Sequence, residues 1–299
     1  TVTYTKVGSL VPSSSDGNFP GAPTVVYPND PSDATKVTPA GVPTVPGYTA
    51  HDPEGHVLTP GSSYQPSDPT KDTTITYTAD KQKGSVSYVD DTTGKTLKTD
   101  SISGTTGSKS SYSTSGSIAD YKKQGYELVT NGYPADLTFD NDDTTDQNFT
   151  VHLKHQLTPV NPTDPQTPGA PINPDEPDGP KWPTSTNYDK TVNETISYVD
   201  QNGHVVAKQH TDSVNFTRTV VVDNVTGEVI TSGAGTTAWT ATNGDTTFDA
   251  VVSPVVPGSV ADKAQTAAVT DLNADSADVN ETVTYTKVGS LVPSSSDGN

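Results

Sequence analysis

Short runs in which a small hydroxyl residue alternates with an apolar residue or tyrosine recur along the chain. They read TVTYT at residue 1, TITYT at 74, SVSYV at 85, TISYV at 195 and TVTYT again at 282. Alternation with a period of two, in residues that favour β structure, is typical of a strand with one buried face. The sequence therefore predicts small β modules that share similar opening and closing strands.

Two of these runs continue into hairpins, and two close a module. YVDDTTGKTLKTD begins at Tyr88 and YVDQNGHVVAKQH begins at Tyr198, each with Asp and Gly around a tight turn near Gly94 or Gly203. VPGYTA precedes the run at 74, and VPGSVA precedes the run at 282. The shared turn sequences and the shared VPG segments indicate related modules within one unit.

An 18-residue segment occurs twice without a mismatch. Residues 1–18 read TVTYTKVGSLVPSSSDGN, and residues 282–299 are identical. Near-identical units in series are the mark of a modular repeat protein, whose copies multiply reach or binding sites. We therefore expect one unit of an elongated tandem array, monomeric as a unit, with any export or wall-anchoring signals outside this piece.

Prolines follow each other at every third position from Pro159 to Pro183. A polyproline II helix has three residues per turn, so this spacing lines one edge of such a helix. The residues between the prolines are mostly polar, with Val160, Ile172 and Trp182 as the larger apolar side chains. The pattern predicts an extended polyproline II spacer over residues 157–189. The alternative is a ligand for a proline-recognition module.

Composition excludes several classes of partner and mechanism. The chain carries 17 Lys and Arg against 36 Asp and Glu, for a net charge of −19, so nucleic acid is not an expected partner. No apolar run reaches the length of a membrane span, so no direct membrane insertion is expected. The absence of cysteine excludes disulfides and thiol nucleophiles. Hydrophobic residues are 29% of the chain, which indicates modules with thin cores.

The predicted fold is mostly β with one short helix. The helix is expected in SIADYKKQGYELV, capped by Ser117 and stopped by Gly125, followed by strands at TFDN from Thr138 and NFTVHLKH from Asn148. This β-β-α-β-β order predicts an α+β, β-grasp (ubiquitin-like) module beside a larger all-β module.

The expected parts are an end strand and tether at 1–18, a Pro-rich linker with a small β module at 19–82, the β-grasp-like module at 83–156, the spacer at 157–189, the larger β module at 190–289 and the start of the next repeat at 290–299.

Several separated motifs together resemble the mucus-binding (Mub) repeats of lactobacillus surface adhesins. SVSYVDDTTGKTLKTDSISG, KKQGYELV and FDNDDTTDQNFTVHLKH are similar to the smaller, β-grasp-like domain of those repeats. KTVNETISYVDQNGHVVA, VNFTRTVVVDNVTGEV, TFDAVVSPVVPG and DSADVNETVTYT are similar to the larger domain. One departure is Ser259, which stands where such domains usually carry tyrosine.

The resemblance implies a function and a location. It implies a cell-wall-anchored surface protein of a Gram-positive bacterium that binds mucin glycoproteins, with immunoglobulin binding in some members and no enzyme activity. Weak binding at each site would be made useful by many copies. Two alternatives remain open: a structural stalk that extends a distal binding domain, and a module that captures immunoglobulin or another host protein through exposed strand edges.

Aromatic side chains are the candidate glycan-binding residues, because sugar C–H groups pack on aromatic faces. The candidates are Trp239, Tyr112, Tyr126 and Tyr133. The competing interpretation is that each ring belongs to a core.

A dense run of carboxylates is the candidate metal site, and no other cofactor is expected. DNDDTTDQN could supply several oxygen ligands to calcium from Asp140, Asp142, Asp143 and Asp146, although the EF-hand pattern is absent. The competing interpretation is a solvated acidic turn.

Overall fold

The chain folds into two compact units. The computed structural model describes residues 1–298 and leaves Asn299 outside the described residues. The first unit is Thr1–Lys154, and the second begins at His155. Strands dominate both units, and the described residues contain one α-helix, so the predicted mostly-β fold class is confirmed.

The first part of unit 1 is a small β module. Its five-stranded sheet has the order β2-β1-β7-β4-β5, and β3 pairs with β6 beside it. Leu10, Tyr27, Ile75 and Tyr77 fill its core with at most 1% of each side chain exposed. The strands are β1 (Ser9–Ser13), β2 (Val25–Val26), β3 (Ala40–Gly41), β4 (Tyr48–His51), β5 (Val57–Leu58), β6 (Ser63–Tyr64) and β7 (Thr73–Ala79).

The second part of unit 1 has the predicted β-β-α-β-β order. Its sheet runs β10-β11-β8-β9, with β8 and β11 parallel at the centre. The elements are β8 (Lys81–Asp90), β9 (Lys95–Thr105), α1 (Ser115–Lys123), β10 (Tyr126–Asn131) and β11 (Gln147–His155). The strand predicted at TFDN is wrong, since Thr138 makes only an isolated bridge to Lys109 and Tyr126–Asn131 supplies the third strand instead.

Helix α1 begins two residues earlier than its predicted cap. Thr114 occupies the N-cap position, and Ser117 lies inside the first turn, where its hydroxyl accepts a hydrogen bond of 2.6 Å from Lys98 Nζ. Gly125 follows the helix with φ of 98°, a left-handed conformation that glycine adopts readily, and there the predicted stop is correct.

Unit 2 contains two sheets. One has the order β12-β15-β16, and the other has the order β17-β14-β13-β19-β18 with β13 and β19 parallel. A 3₁₀ turn at Ser185–Asn187 leads into the second sheet. The strands are β12 (Leu157–Val160), β13 (Asp189–Asp200), β14 (Val205–Thr217), β15 (Val220–Asp223), β16 (Val229–Ile230), β17 (Thr240–Ala241), β18 (Ser259–Ala261) and β19 (Val279–Lys287).

The prediction of an extended polyproline spacer is wrong. Strand β12 pairs antiparallel with β15, and the following prolines lie in a bent-back segment where Pro171 bridges Lys181. The amides between the prolines hold this segment together, as in the 2.9 Å bond from Trp182 N to Ala170 O. Prolines at every third position leave two donors per turn free for such bonds.

The apolar residues of this segment explain why it folds back. Val160 is fully buried in a cluster with Tyr188, Val220 and Val222, and Ile172 and Trp182 pack on that cluster. The burial of these side chains favours a proline segment that folds back onto the cluster over one that extends as a rod.

The two identical 18-residue segments fold differently. In the second copy, Val283 and Tyr285 of TVTYT are buried in β19, whereas Val2 and Tyr4 of the first copy are 78% and 84% exposed. In the SLVPS half, the first copy is buried and the second is exposed: Leu10 is fully buried, and its equivalent Leu291 is fully exposed. Residues 9–13 are therefore strand β1 of unit 1 and not the predicted tether.

The substitution Trp182→Ala tests whether the proline segment packs on the cluster around Val160. We expect it to lower the free energy of unfolding of unit 2 by about 2 kcal/mol, since a half-buried ring contributes part of the energy of a buried one. The chain has two tryptophans, and Trp239 remains to report on the same unit by fluorescence during urea unfolding.

The matched control is Val205→Ala in the same unit, at a side chain that is 76% exposed. It should change the free energy of unfolding by less than about 0.5 kcal/mol. Equal, negligible effects of both substitutions would restore the spacer interpretation.

Candidate binding site

Trp239 is the candidate glycan-binding ring with the most distinctive surroundings. It is half-buried just before β17 and packs against the core cluster around Phe216 and Phe248. The guanidinium carbon of Arg218 lies 4.4 Å from the centre of a Trp239 ring, and Lys190 Nζ lies 5.3 Å from it. Both distances fit cation–π contacts, in which the ring face attracts a positive charge.

Backbone contacts hold Arg218 in this position. Its Nε donates a 2.7 Å hydrogen bond to Asn187 O, and its backbone N donates to Tyr188 O at 3.0 Å. Lys190 Nζ also lies 3.6 Å from a carboxylate oxygen of Asp275. Arg218, Lys190 and Trp239, which we call the tryptophan patch, thus combine an aromatic ring with two cations in a chain of net charge −19.

Tyr112 is engaged in a hydrogen-bond network on the second sheet of unit 1. Its hydroxyl donates to Asp100 Oδ2 at 2.7 Å, and the hydroxyl of Tyr88 lies 2.6 Å from it. Burial and these two hydrogen bonds raise the pKa of Tyr112 far above its ordinary value. The hydroxyl is therefore a structural donor at all physiological pH values.

Tyr126 and Tyr133 are core residues, each only 9% exposed. The Tyr126 ring packs edge-on against Tyr121 at 5.6 Å between ring centres, and Tyr133 packs edge-on against Phe149 at 5.5 Å. Rings covered in this way stabilise the module by aromatic packing and leave little face for a sugar. Their burial argues against the predicted glycan-binding role.

The four aspartates predicted to hold calcium are not brought together. None of them belongs to a group of three or more potential ligands within 4.8 Å in the described part of the chain. The Asp142 carboxylate accepts from the backbone N and hydroxyl of Thr144, and Asp143 accepts a 2.6 Å bond from Gln82 Nε2. Asp140 and Asp146 lie exposed in the same loop. The acidic-turn interpretation accounts for these contacts.

A carboxyl pair that sequence reasoning missed lies between the two parts of unit 1. Asp80 accepts a short hydrogen bond from the Thr49 hydroxyl, and its carboxyl also shares a hydrogen bond with Asp143. Burial and the neighbouring Asp143 raise the pKa of Asp80 above its ordinary value of 3.8. The two carboxyls line one side of a cavity beside Tyr48, whose buried hydroxyl has no hydrogen-bond partner among residues 1–298. Asp80 and Asp143 lie more than 30 positions apart in sequence, so no local sequence pattern predicts the pair.

Comparison with known families matches the second part of unit 1 and most of unit 2. Residues 82–155 match a family described as a mucin binding domain, and residues 183–289 match a family described as a Muc B2-like domain. A search of curated proteins gives no match.

Solved structures give matches over a larger part of the chain. The crystal structure of Mub-RV is 34% identical, covers 70% of this chain and 100% of its own, and superposes with a TM-score of 0.52. The type 2 repeat of the mucus binding protein MUB from Lactobacillus reuteri is 32% identical over 69% of this chain and 100% of its own, with a TM-score of 0.46. The MucBP domain of an adhesion protein from Pediococcus pentosaceus is 37% identical over 32% of this chain and 97% of its own, with a TM-score of 0.27.

The fold, the two family matches and the match to Mub-RV define a bacterial surface module built from two kinds of β domain. The chain belongs to the family of Mub-type mucus-binding repeats. Repeats of this family occur in surface-exposed bacterial adhesins, so the chain is extracellular. In residues 1–298, no helix has the length and apolar character needed to cross a membrane.

Removal of the Asp80 charge should stabilise unit 1 at neutral pH. Because the folded-state pKa of Asp80 is raised, its contribution to stability is present below pH 3.8 and is lost as pH rises through the folded-state pKa. Asp80→Asn is uncharged at every pH, so we expect a higher Tm than wild type at pH 7 and a smaller difference at pH 3. Differential scanning calorimetry across this range measures both.

Asp142→Asn is the control with the opposite sign. Hydrogen bonds from Thr144 lower the pKa of Asp142, so its contribution is present above pH 3.8 and is lost as pH falls through the folded-state pKa. This substitution should therefore not raise the Tm at pH 7. An Asp80→Asn protein less stable than wild type at pH 7 would contradict the assignment of an unfavourable charge at Asp80.

Proposed function

We propose that this chain is a repeat unit of a wall-anchored adhesin, which binds the glycans of mucin weakly at each site and gains strength from many copies. The observation that supports the proposal is the match of residues 82–155 to a mucin binding domain family, next to the match of residues 183–289 to a Muc B2-like domain family. The role is one of binding, without catalysis. It requires no charge attraction between an acidic protein and acidic mucin, because each contact acts at short range.

We assign glycan contact to the tryptophan patch. An indole face packs against sugar C–H groups, and the neighbouring cations can meet a carboxylate or sulfate on the same glycan. Trp239 is half-buried, whereas Tyr126 and Tyr133 are each only 9% exposed. The Arg218 guanidinium already donates a hydrogen bond to Asn187 O, so it loses little freedom on binding. These features support the patch over the other predicted rings.

The burial of the 18-residue repeat supports the proposal of a tandem array. Each half of TVTYTKVGSLVPSSSDGN is buried in only one of its two copies. A Cβ added to Gly8 would lie 2.4 Å from backbone atoms of Lys71, whereas Gly289 has open space around it. The segment is thus adapted to close one module with its first half and to open the next module with its second half. Within an array, every internal copy has both halves buried.

Surface plasmon resonance on intact and deglycosylated mucin tests the glycan proposal. We expect the single unit, confirmed as a monomer, to bind intact mucin and to lose binding when the glycans are removed. Trp239→Ala should weaken binding by about two- to tenfold, which corresponds to the contribution of one aromatic contact.

Two controls separate the proposal from its rivals. Tyr126→Phe keeps the buried ring and should bind like wild type, and circular dichroism checks that each variant folds. Binding that survives deglycosylation would support capture of a host protein instead. No binding, even by a multivalent display of the unit, would leave only the structural stalk.

Leu291→Asp tests the array. In the single unit Leu291 is fully exposed, so the free energy of unfolding should change by less than about 0.5 kcal/mol. In a chain of two consecutive units the same leucine takes the place of Leu10, and we expect a loss of more than about 2 kcal/mol. Leu10→Asp in the single unit is the positive control. An unchanged two-unit chain would contradict the connector role.

A further inference from the structure

A band of ionisable side chains crosses the buried face of the large sheet in unit 2. In the antiparallel pairing of β13 with β14, Glu194 lies opposite Asp212, and Ile196 lies opposite His210. Directly opposed residues share a face of the sheet, as do residues two positions apart. Glu194, His210 and Asp212 therefore lie on one face, which is also the face of the core residue Ile196.

Glu194 is the unusual member of this band. Its side chain is only 2% exposed, and it lies between Val192 of one hydrophobic cluster and Ile196 of another. Its Oε1 atom has no hydrogen-bond partner among the described residues. A buried carboxylate oxygen without a partner costs a large part of its hydration energy, so an apolar residue at this position would stabilise the fold better. The presence of a glutamate at this buried position therefore needs an explanation, such as a ligand that its carboxylate binds.

The neighbouring groups converge on that oxygen. His210 Nε2 lies 3.7 Å from Glu194 Oε1. One ligand atom each from Glu194, His210 and Asp212 lies within 4.8 Å of the others. Atoms bound to one small ion at about 2 Å are separated by about 3 to 4 Å, so only small side-chain movements are needed.

We propose that Glu194, His210 and Asp212 form a binding site for a divalent transition-metal ion of the zinc class. One imidazole nitrogen with two carboxylates is a donor set for zinc, with water or a further carboxylate completing four-fold coordination. Calcium and magnesium prefer oxygen ligands, so the histidine selects against both. The ion reaches Glu194 from the solvent side, because Asp212 is exposed and His210 is partly exposed.

A fourth carboxylate lies at the edge of this site. Glu281 on β19 lies opposite Ile196 and hence on the same face, and its Oε2 is 3.1 Å from Lys263 Nζ. The tripeptide Asn-Glu-Thr opens the alternating run of both strands, TISYV in β13 and TVTYT in β19. Glu194 and Glu281 therefore occupy equivalent positions in two related strands. The lysine partly neutralises Glu281 and leaves the other three groups as the ligand set.

Protonation competes with metal at this site. Burial raises the pKa of Glu194, His210 lowers it, and Asp212 and Glu281 raise it further. A metal ion requires the carboxylate and the neutral imidazole, so binding releases protons and weakens as pH falls. The ion thereby supplies the positive charge that the buried carboxylate otherwise lacks.

A second group of potential ligands provides a matched control. Asp52, Glu54 and His56 also place ligand atoms within 4.8 Å of one another. Glu54 and His56 are exposed, however, and Asp52 already accepts hydrogen bonds of 2.9 Å from the backbone N atoms of both. This cluster has the ordinary features of a polar turn.

Isothermal titration calorimetry of the whole chain with zinc chloride tests the site. We expect one bound zinc per chain, with proton release that makes the heat depend on the buffer. His210→Ala and Asp212→Asn should each weaken binding by more than about tenfold. Glu194→Gln should do the same and should raise the Tm without metal, because it removes the buried charge. His56→Ala should leave the affinity unchanged.

Thermal unfolding followed by tryptophan fluorescence gives a second readout, since both tryptophans lie in unit 2. Excess zinc should raise the Tm of wild type and His56→Ala, and it should not raise that of His210→Ala. The proposal is overturned if wild type binds no zinc, or if His210→Ala and Asp212→Asn bind zinc as tightly as wild type. His210 and Asp212 are not core residues, so their variants keep the test valid if Glu194→Gln fails to fold.

Discussion

Two of the β modules, one in each unit, are closed by a buried tyrosine whose hydroxyl donates a hydrogen bond to a proline carbonyl. Tyr77 of β7 donates to Pro43 O at 2.6 Å, and Tyr285 of β19 donates to Pro254 O at 2.6 Å. The ring supplies much of the apolar area that a thin core lacks, and the hydroxyl fixes the loop that crosses the end of the sheet. A chain with 29% hydrophobic residues depends on a few such side chains that pack and hydrogen-bond at once.

The two closing sites differ in one respect. In unit 1, Tyr48 lies opposite Ala79 and packs against Phe19, with 5.2 Å between ring centres. The equivalent position in unit 2 is Ser259, opposite Lys287, and it lines an open pocket beside Tyr285. The missing ring leaves the second module with a smaller core at this end. The same alternating strand is thus reused with different amounts of aromatic packing.

Features set by neighbouring residues were predictable from sequence, and features set by distant ones were not. The hairpin turns fall at Gly94 and Gly203, both with positive φ, because a tight turn needs a glycine locally. The prediction for the proline segment was wrong because its folding depends on packing against Val220 and Val222, some 40 to 60 residues away. Composition alone could not tell the buried rings of Tyr126 and Tyr133 from the half-buried ring of Trp239. Glu194 did carry a signal, since it shares the inward register of Ile196 and Tyr198.

Nuclear magnetic resonance can test at single residues whether the tryptophan patch binds mucin glycans, as we propose. Isotope-labelled protein would be titrated with O-glycans released from mucin, up to millimolar concentration. Binding at the patch should give saturable shifts of the Trp239 indole N–H and the Arg218 Nε–H signals. Glycan binding that leaves both signals unchanged, or shifts confined to residues 82–155, would contradict it.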